Sequence, residues 1–327
     1  MTPFARGLTV GVVLLAGATF LLAAPPAERP ARRAGPAVPP PPFLWKVERD
    51  GELAAYLFGT IHVPDPRVQK LPAAVVRAFE AADRVVTEIP LDADAQLGVT
   101  QALLLPPGQQ LRDVLGGARF ARLTSAIRAA LEDDAPMVAT VVVTALNRLK
   151  PWAAMAQLAL VEYLPDLISG RPSLDARLHA DAQAAGKALS ALETVREQAS
   201  VFDAFTLDEQ LTLLDAALAQ TEAATRTDDM PGRALVDHYL SGDVSRLVTA
   251  MQEQAPADGA LARKFEQVLL RDRNARMADR FERLASAHPD DLLFVAVGTL
   301  HLVGEGSLPL LLAARGYRVS RLTNPER

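Results

Sequence analysis

Two short phrases recur at opposite ends of the chain: "LFGTIHVP" from Leu57 to Pro64, and "VAVGTLHLVG" from Val295 to Gly304. Each is an apolar run that ends in Gly-Thr-x-His, so His62 follows Gly59, and His301 follows Gly298, at the same spacing. The chain has five histidines in 327 residues, and two of them share one local setting. Two imidazoles with a carboxylate form a familiar ligand set for a divalent metal ion, with one coordination position left for water. Such an ion lowers the pKa of its bound water and supplies a hydroxide nucleophile. The carboxylates available are Glu88, which ends "RVVTE", and Glu193, which ends "KALSALE". Glu88 is expected beside the histidines as a ligand, and Glu193 or Glu88 as general base. Arg273 or Arg321 is expected to stabilise an oxyanion.

The motif glycines fit this chemistry. Gly59 and Gly298 stand where a strand must bend and the backbone can approach a ligand closely. Thr60 and Thr299 are β-branched residues that suit a strand end and need no further role. GxxH alone is a weak pattern; two copies in matching contexts set these histidines apart from an ordinary hydrogen-bonded strand-end histidine. His179, His238 and His288 fall on or at the ends of amphipathic helices, where solvated or capping roles are expected. Glu197 reads as structural, because "TVRE" is a capping box with Thr194 at the N-cap. Arg273 and Asn274 lie in "RDRNARMADR", whose default reading is a solvated helix face.

The elements that must position these residues are legible in outline. "FLWKVER" and "LAAYLFGTIHV" alternate as strands around Asp50-Gly51, a strong hairpin signal. After His62 come a proline-rich loop, the helical run "AAVVRAFEAAD" and the short strand "RVVTEIP". The C-terminus repeats the plan: the strand "DLLFVAVGTLHL", the loop "VGEGS", the helix "LPLLLAAR" between Ser307 and Gly316, and the strand "YRVSRL". Overlaying the two units puts Arg321 where the first has Glu88, so both are expected to face one cleft. Between the units, from about Leu91 to His288, apolar spacing predicts mainly helices. The exceptions are the strand "KALSALE" and a loop over "TRTDDMPG", Thr225–Gly232. The fold class is therefore α/β: pseudo-duplicated β-α-β units forming a mixed sheet, with a large helical insertion between them. Ligands collect outside the carboxyl ends of strands in such sheets, and His62, His301, Glu88 and Glu193 all end strands.

Composition bounds the function. A net charge of −5 and 5% aromatic residues give neither a basic footprint nor a stacking platform for nucleic acid. The absence of cysteine excludes disulfides, thiolate metal sites and a cysteine nucleophile. Residues 1–24 read as a signal peptide or N-terminal anchor: Arg6 precedes the uncharged run Gly7–Ala24, which ends in small residues. Residues 25–42 are a proline-rich linker, and residues 43–327 form the folded domain. The domain is expected in the periplasm or secreted. The alternative is an inner-membrane anchor, since the run is near the minimum for a spanning helix.

Several separated phrases together resemble the TraB/PrgY/GumN family, especially its GumN-like bacterial branch. They are "LWKV", "YLFGTIHV", "VVTEIPL", "LDARLHADAQAAGKALSALETVREQASVFDAF", "RDRNARM" and "VAVGTLHLVGEGSLPLLLAARGYRV", and they run from about Leu44 to Val319. The family is similar to the Tiki proteases and related in fold to erythromycin esterases and ChaN-like haem- or iron-binding proteins. The resemblance implies an α/β fold with duplicated halves and a cleft holding His62, His301 and Glu88, and more weakly Glu193, Arg273 and Asn274. It also implies metal-dependent peptide hydrolysis in Tiki-like members. The expected cofactor is thus a divalent metal ion, and the expected partner a peptide or small-molecule substrate, with membrane attachment through the N-terminal apolar segment as an option. Two further classes stay open. One is a non-catalytic envelope protein that binds peptide, haem or metal in the same cleft; the other is a metal-free esterase.

Overall fold

The computed structural model describes residues 40–129, 131, 136–227, 231–253 and 259–323. The expected leader, and most of the proline-rich linker, lie outside these residues. Among the described residues no helix is long and apolar enough to cross a membrane.

Six strands form one sheet: β1 (Leu44–Arg49), β2 (Glu52–Thr60), β3 (Arg84–Thr87), β4 (Ala188–Ala191), β5 (Leu293–Gly298) and β6 (Arg318–Arg321). β1 and β2 make the predicted hairpin. Asp50 and Gly51 both have positive φ, 53° and 87°, as the tight turn matching strand twist requires. The order across the sheet is β4-β3-β5-β2-β1-β6. β1 is antiparallel to both its neighbours, and the remaining pairs are parallel. β5 is central and all six of its residues are buried, which is why "LFVAVG" reads as an unbroken apolar run.

The two predicted β-α-β units are both present, and they interlock. The first runs from β2 through helix α1 (Ala73–Ala81) to β3, passing over β5. The second runs from β5 through a C-terminal helix, Leu308–Ala314, to β6, passing the other way over β2 and β1. Right-handed crossovers in opposite directions put their helices on opposite faces of the sheet. The divide between β2 and β5 is therefore a topological switch point, where open α/β sheets leave a crevice for ligands. Register pairs Thr60 with Gly298, so the two Gly-Thr-x-His phrases stand side by side there.

The insertion between β3 and β5 is mainly helical, as its periodicity predicts. Five of its helices reach the sheet's carboxyl edge or flank it: α2 (Leu174–Ala184), α3 (Val195–Ser200), α4 (Pro231–Leu240), α5 (Val244–Glu253) and α6 (Asp272–Ala287). The C-terminal helix Leu308–Ala314 is then α7. One apolar cluster joins the sheet to its covering helices, through residues such as Leu57, Val85, Leu178, Phe281 and Val295. A second lies within the helical part, where the rings of Trp152 and Phe202 stack 4.2 Å apart.

Three expectations change in detail. The helical stretch "KFEQVLLRDRNARM", within the segment expected to be mainly helical, is interrupted by a π-helical turn, Gln267–Arg271, just before α6. The strand predicted through His301 stops at Gly298, and Thr299–His301 form a single 3-10 turn. The loop predicted at Thr225–Gly232 is narrower, because helix Leu207–Thr227 enters it and α4 begins at Pro231; residues 228–230 lie outside the described residues.

Candidate functional site

The GxxH histidines meet at the switch point around one carboxylate. Glu88 follows β3 by one residue, and its Oε1 lies 3.4 Å from His62 Nε2 and 3.8 Å from His301 Nε2. All three residues are buried. In each ring the other nitrogen is fixed by a different helix. His62 Nδ1 is 2.7 Å from Asp175 Oδ2, in the first turn of α2, and the second oxygen of Asp175 accepts from Thr60 Oγ1 at 2.6 Å. His301 Nδ1 is 2.6 Å from Asn274 Oδ1 on α6. The Asn274 amide donates its Nδ2 to the Gly306 carbonyl at 2.9 Å, which leaves Oδ1 facing the ring. His301 therefore carries its proton on Nδ1, and the lone pair of Nε2 points towards Glu88. Among the described residues that buried Nε2 has no hydrogen-bond partner.

The two imidazoles differ in charge although their motifs match. For His62 burial opposes protonation, but Asp175 and Glu88 on either side outweigh it and push the pKa up to about 10. For His301 burial and the nearby Arg273 act together, pushing the pKa down to about 3 and keeping the ring neutral. A carboxylate acceptor against an amide acceptor accounts for much of this difference.

Glu88 is itself tightly held. Its Oε1 accepts from the Gly298 amide at 2.7 Å, and its Oε2 accepts from Arg273 Nη2 at 2.6 Å and Gln198 Nε2 at 2.9 Å. Burial would raise its pKa, but Arg273 first, then the histidines, hold it well below the usual carboxylate range. Arg273 also binds Glu193 Oε2 through Nε and Nη2, at 2.9 Å and 2.7 Å. The other Glu193 oxygen is 3.3 Å from Arg276. Burying a guanidinium is tolerable only with such complete pairing. Two buried carboxylates, of Glu88 and Glu193, thus share the buried guanidinium of Arg273, while the buried Asp175 pairs with His62.

This arrangement corrects several expected roles. Arg273 and Asn274 are buried at 3% and 2% exposure, on the inward face of a helix read as solvated. Arg273 fixes Glu88 and Glu193, so its donors are engaged by the protein and not aimed at an oxyanion. Glu193 stands behind Arg273 with both oxygens in ion pairs, an arrangement unlike that of a free general base. Arg321 does not share the cleft with Glu88. The first unit's last strand lies beyond β5 and the second's lies beyond β1, four strand spacings or about 19 Å apart. Its guanidinium stacks over Phe43 and Trp45 and donates to the carbonyls of Pro41, Pro42 and Gly242. The motif glycines are both close-approach positions. A Cβ on Gly298 would stand 2.9 Å from His62 Nε2, and one on Gly59 2.7 Å from Thr299 Oγ1.

Asp175 and Gln198 are the site residues that reasoning from local sequence missed. Asp175 looks like an acid placed for the helix dipole after the N-cap Ser173, and Gln198 like a polar residue following the capping box. Their inward direction depends on contacts 113 and 110 residues away. The Thr194–Glu197 capping box itself is present in both directions.

Two small recesses flank His62. One, large enough for a water molecule or two, is lined by polar groups including Glu88, Asp175, Ser173 and Gln198. The other reaches both histidines, is walled by α4 and α5, and has room for little more than one water molecule. Among the described residues no three His, Cys, Asp or Glu side chains are gathered closely enough to hold a metal ion as they stand. The donor set is nevertheless of the right kind. Two imidazoles have Nδ1 anchored by an outer acceptor and Nε2 directed at one carboxylate oxygen, the usual support of metal-bound histidines.

The family model described as the TraB/PrgY/gumN family matches residues 43–321. Similar curated proteins include a "Metalloprotease TIKI homolog" from Nematostella vectensis, 28% identical, "Metalloprotease TIKI1" from Danio rerio, 29%, and "Metalloprotease TIKI1" from Homo sapiens, 27%. Each alignment covers 85% of this chain, and 66%, 62% and 61% of the respective relative, so the chain spans less than two thirds of their length. No solved structure matches the chain.

Proposed function

The chain belongs to the TraB/PrgY/gumN family, and on that premise we propose that it is an exported metal-dependent hydrolase acting on peptides. The observation that carries this reading is the pair of anchored imidazoles whose Nε2 atoms converge on Glu88 Oε1, with that of His301 buried without a hydrogen-bond partner among the described residues. The relatives named metalloproteases, at under 30% identity, support the reaction class. The apolar run Gly7–Ala24 motivates export.

His62, His301 and Glu88 would hold the ion. Bound there, a divalent ion supplies Lewis acidity and a hydroxide equivalent at neutral pH. The protein's own contribution is positional. Asp175 and Asn274 fix the two rings, Asn274 keeps the proton of His301 on Nδ1, and Arg273 with Gln198 prevents Glu88 from turning away. Thr60 locks Asp175 in turn. Glu193 neutralises Arg273 from behind, which leaves the negative charge of Glu88 available to the site.

A second reading is favoured by the His62–Asp175 dyad, which could orient a water for ester hydrolysis with no metal. Elemental analysis of the purified protein separates the two. The first reading expects one divalent ion per chain, lost in both His62→Ala and His301→Ala, and activity abolished by chelation. Folded wild-type protein with no metal affinity, or hydrolysis unaffected by chelation, would overturn it.

A further inference from the structure

A cleft of about 450 Å³ shares Tyr239 with the histidine recess but includes neither histidine. That volume lies in the range of small-molecule sites, roughly 300–1,000 Å³. The cleft is bounded by the end of the proline-rich linker, by the loop leading from His62 into α1, and by α4. Phe43, Phe58 and Tyr239 supply rings, and Val68, Leu71 and Leu240 supply aliphatic carbon. Hydrogen-bonding groups are scarce in this wall. Pro40, Pro41, Pro42 and Pro72 have no N–H to donate. The carbonyls of Pro41 and Pro42 accept from Arg321, that of Phe43 from the Gly59 amide, and that of Pro72 from Val75 and Val76. The Tyr239 hydroxyl donates to the Gly59 carbonyl at 2.8 Å, so its polar tip is also engaged. Among the described residues lining the cleft, Lys70 alone is charged, and it is exposed. The walls are firmly held. Arg321 ties the proline wall to the turn between α4 and α5 through the Gly242 carbonyl, at 2.7 Å, and lies over the Phe43 ring. The rings of Phe43 and Tyr239 stack 5.5 Å apart. A cleft braced in this way needs little reordering when a ligand enters.

We propose that this cleft binds the alkyl chain of a single-chain carboxylic acid, with the carboxylate held at Lys70. Such binding is independent of the peptide-hydrolase reading. A peptide or a sugar would give up hydrogen bonds to water and find few replacements in this wall. An alkyl chain has none to lose, and each methylene buried strengthens binding about fourfold. The space corresponds to about fifteen water-sized groups, at ~30 Å³ each. It therefore takes one chain of about ten to fourteen carbons and excludes the paired chains of a phospholipid. An exposed ammonium on an otherwise apolar wall complements a carboxylate that stays in contact with water.

The test uses the full-length chain with labelled leucine and valine methyls, titrated with sodium dodecanoate below its micelle-forming concentration. Saturable shifts are expected at Val68, Leu71 and Leu240, while Leu97 and Leu310, exposed elsewhere on the surface, stay unmoved. Octanoate should bind at least ~50-fold more weakly, at about fourfold per methylene lost. Dodecyltrimethylammonium, with the same chain and a cationic head, should bind at least ~10-fold more weakly than dodecanoate, and Lys70→Met should remove most of that difference. Ala73→Trp places a large ring at an exposed lining position and should abolish the shifts. Lys70→Met keeps the proposal testable if the tryptophan variant fails to fold. Shifts that spread to Leu97 and Leu310 without saturation, or equal affinity for octanoate, would overturn the site. Equal affinity for the cationic amphiphile in the unaltered protein would overturn the role of Lys70. Nuclear Overhauser contacts from Leu71 and Leu240 to residues 25–39 in the free protein would show the cleft filled by its own chain, and would overturn the choice of occupant. So would tighter binding of an apolar tetrapeptide than of dodecanoate.

Discussion

Replacing Gly298 by alanine tests whether this glycine is required by the site or by the backbone. Gly298 has φ −52° and ψ 134°, a conformation open to any L-residue, so the substitution adds no backbone strain. The added methyl carbon would instead lie 2.9 Å from His62 Nε2 and 3.1 Å from Glu88 Oε1. Ordinary contact requires His62 to retreat by about half an ångström. It is not free to do so, because Asp175 holds Nδ1 at 2.7 Å and Arg273 holds Glu88 at 2.6 Å. Overpacking at such a fixed point costs about 1–3 kcal/mol. That corresponds to a fall in Tm of roughly 2–5 °C for a domain of this size. The methyl also stands between the proposed ligand atoms, so affinity for Zn²⁺ should drop by at least ~10-fold. Urea denaturation of Gly298→Ala, His62→Ala and the double variant completes the design. With the imidazole gone the methyl meets much less, and the glycine substitution should cost under about 1 kcal/mol in that background. Additive losses, within ~0.5 kcal/mol, would refute the claim that Gly298 is small because of His62.

Two other perturbations address different parts of the molecule. Arg273→Met leaves Glu88 and Glu193 without their shared buried cation and should destabilise by about 3–5 kcal/mol. The depressed folded-state pKa of Glu88 gives stability that is present above the unfolded carboxylate range and lost as pH falls through the folded value. The variant should therefore begin to lose stability at higher pH than wild type in an acid titration followed by circular dichroism. Glu162 has a carboxyl whose pKa is pushed up to about 7, by burial first, against the opposing Arg233 and the Gly232 and Arg233 amides at the start of α4. Its folded pKa exceeds the ordinary value of 4.5, so stability is lost as pH rises from about 4.5 through 7. Glu162→Gln should gain roughly 2–3 kcal/mol relative to wild type at pH 8 and little at pH 4, as measured by urea denaturation; an equal effect at both pH values would count against the assignment.

Sequence made the sheet legible where its signals are local. Asp50-Gly51 specifies its hairpin, the Gly-Thr-x-His phrases mark strand ends, and the repeated strand-loop-helix-strand order is visible without any long-range contact. The expectation that His62, His301 and Glu88 lie along one sheet edge also followed from the strand-ending repeat. What the repeat does not carry is the order of strands. By sequence Arg321 matches Glu88, but interlocking sends β3 and β6 to opposite sides of the central pair. The residues behind the histidines were hidden for another reason. A charged helix such as "RDRNARMADR" presents a solvated face unless partners exist to receive the charge, and those of Arg273 lie 185 and 80 residues away. Asp175 satisfies a helix start so well that its second use leaves no local trace.

The interlocking also fixes an order in time. β2 and β3 are complete within the first 87 residues, yet the strand that separates them begins at Leu293. Until it arrives, both present open hydrogen-bonding edges, and the second histidine is absent from the crevice. Closing a sheet across so long a stretch of chain is slow, since the loop entropy must be met before the pairing can offset it. The insertion of β5 joins the two parts of the sheet and brings His301 beside His62 and Glu88 in a single event. A nascent or clipped chain that lacks its final strands should therefore be sticky and unable to carry out the proposed hydrolysis.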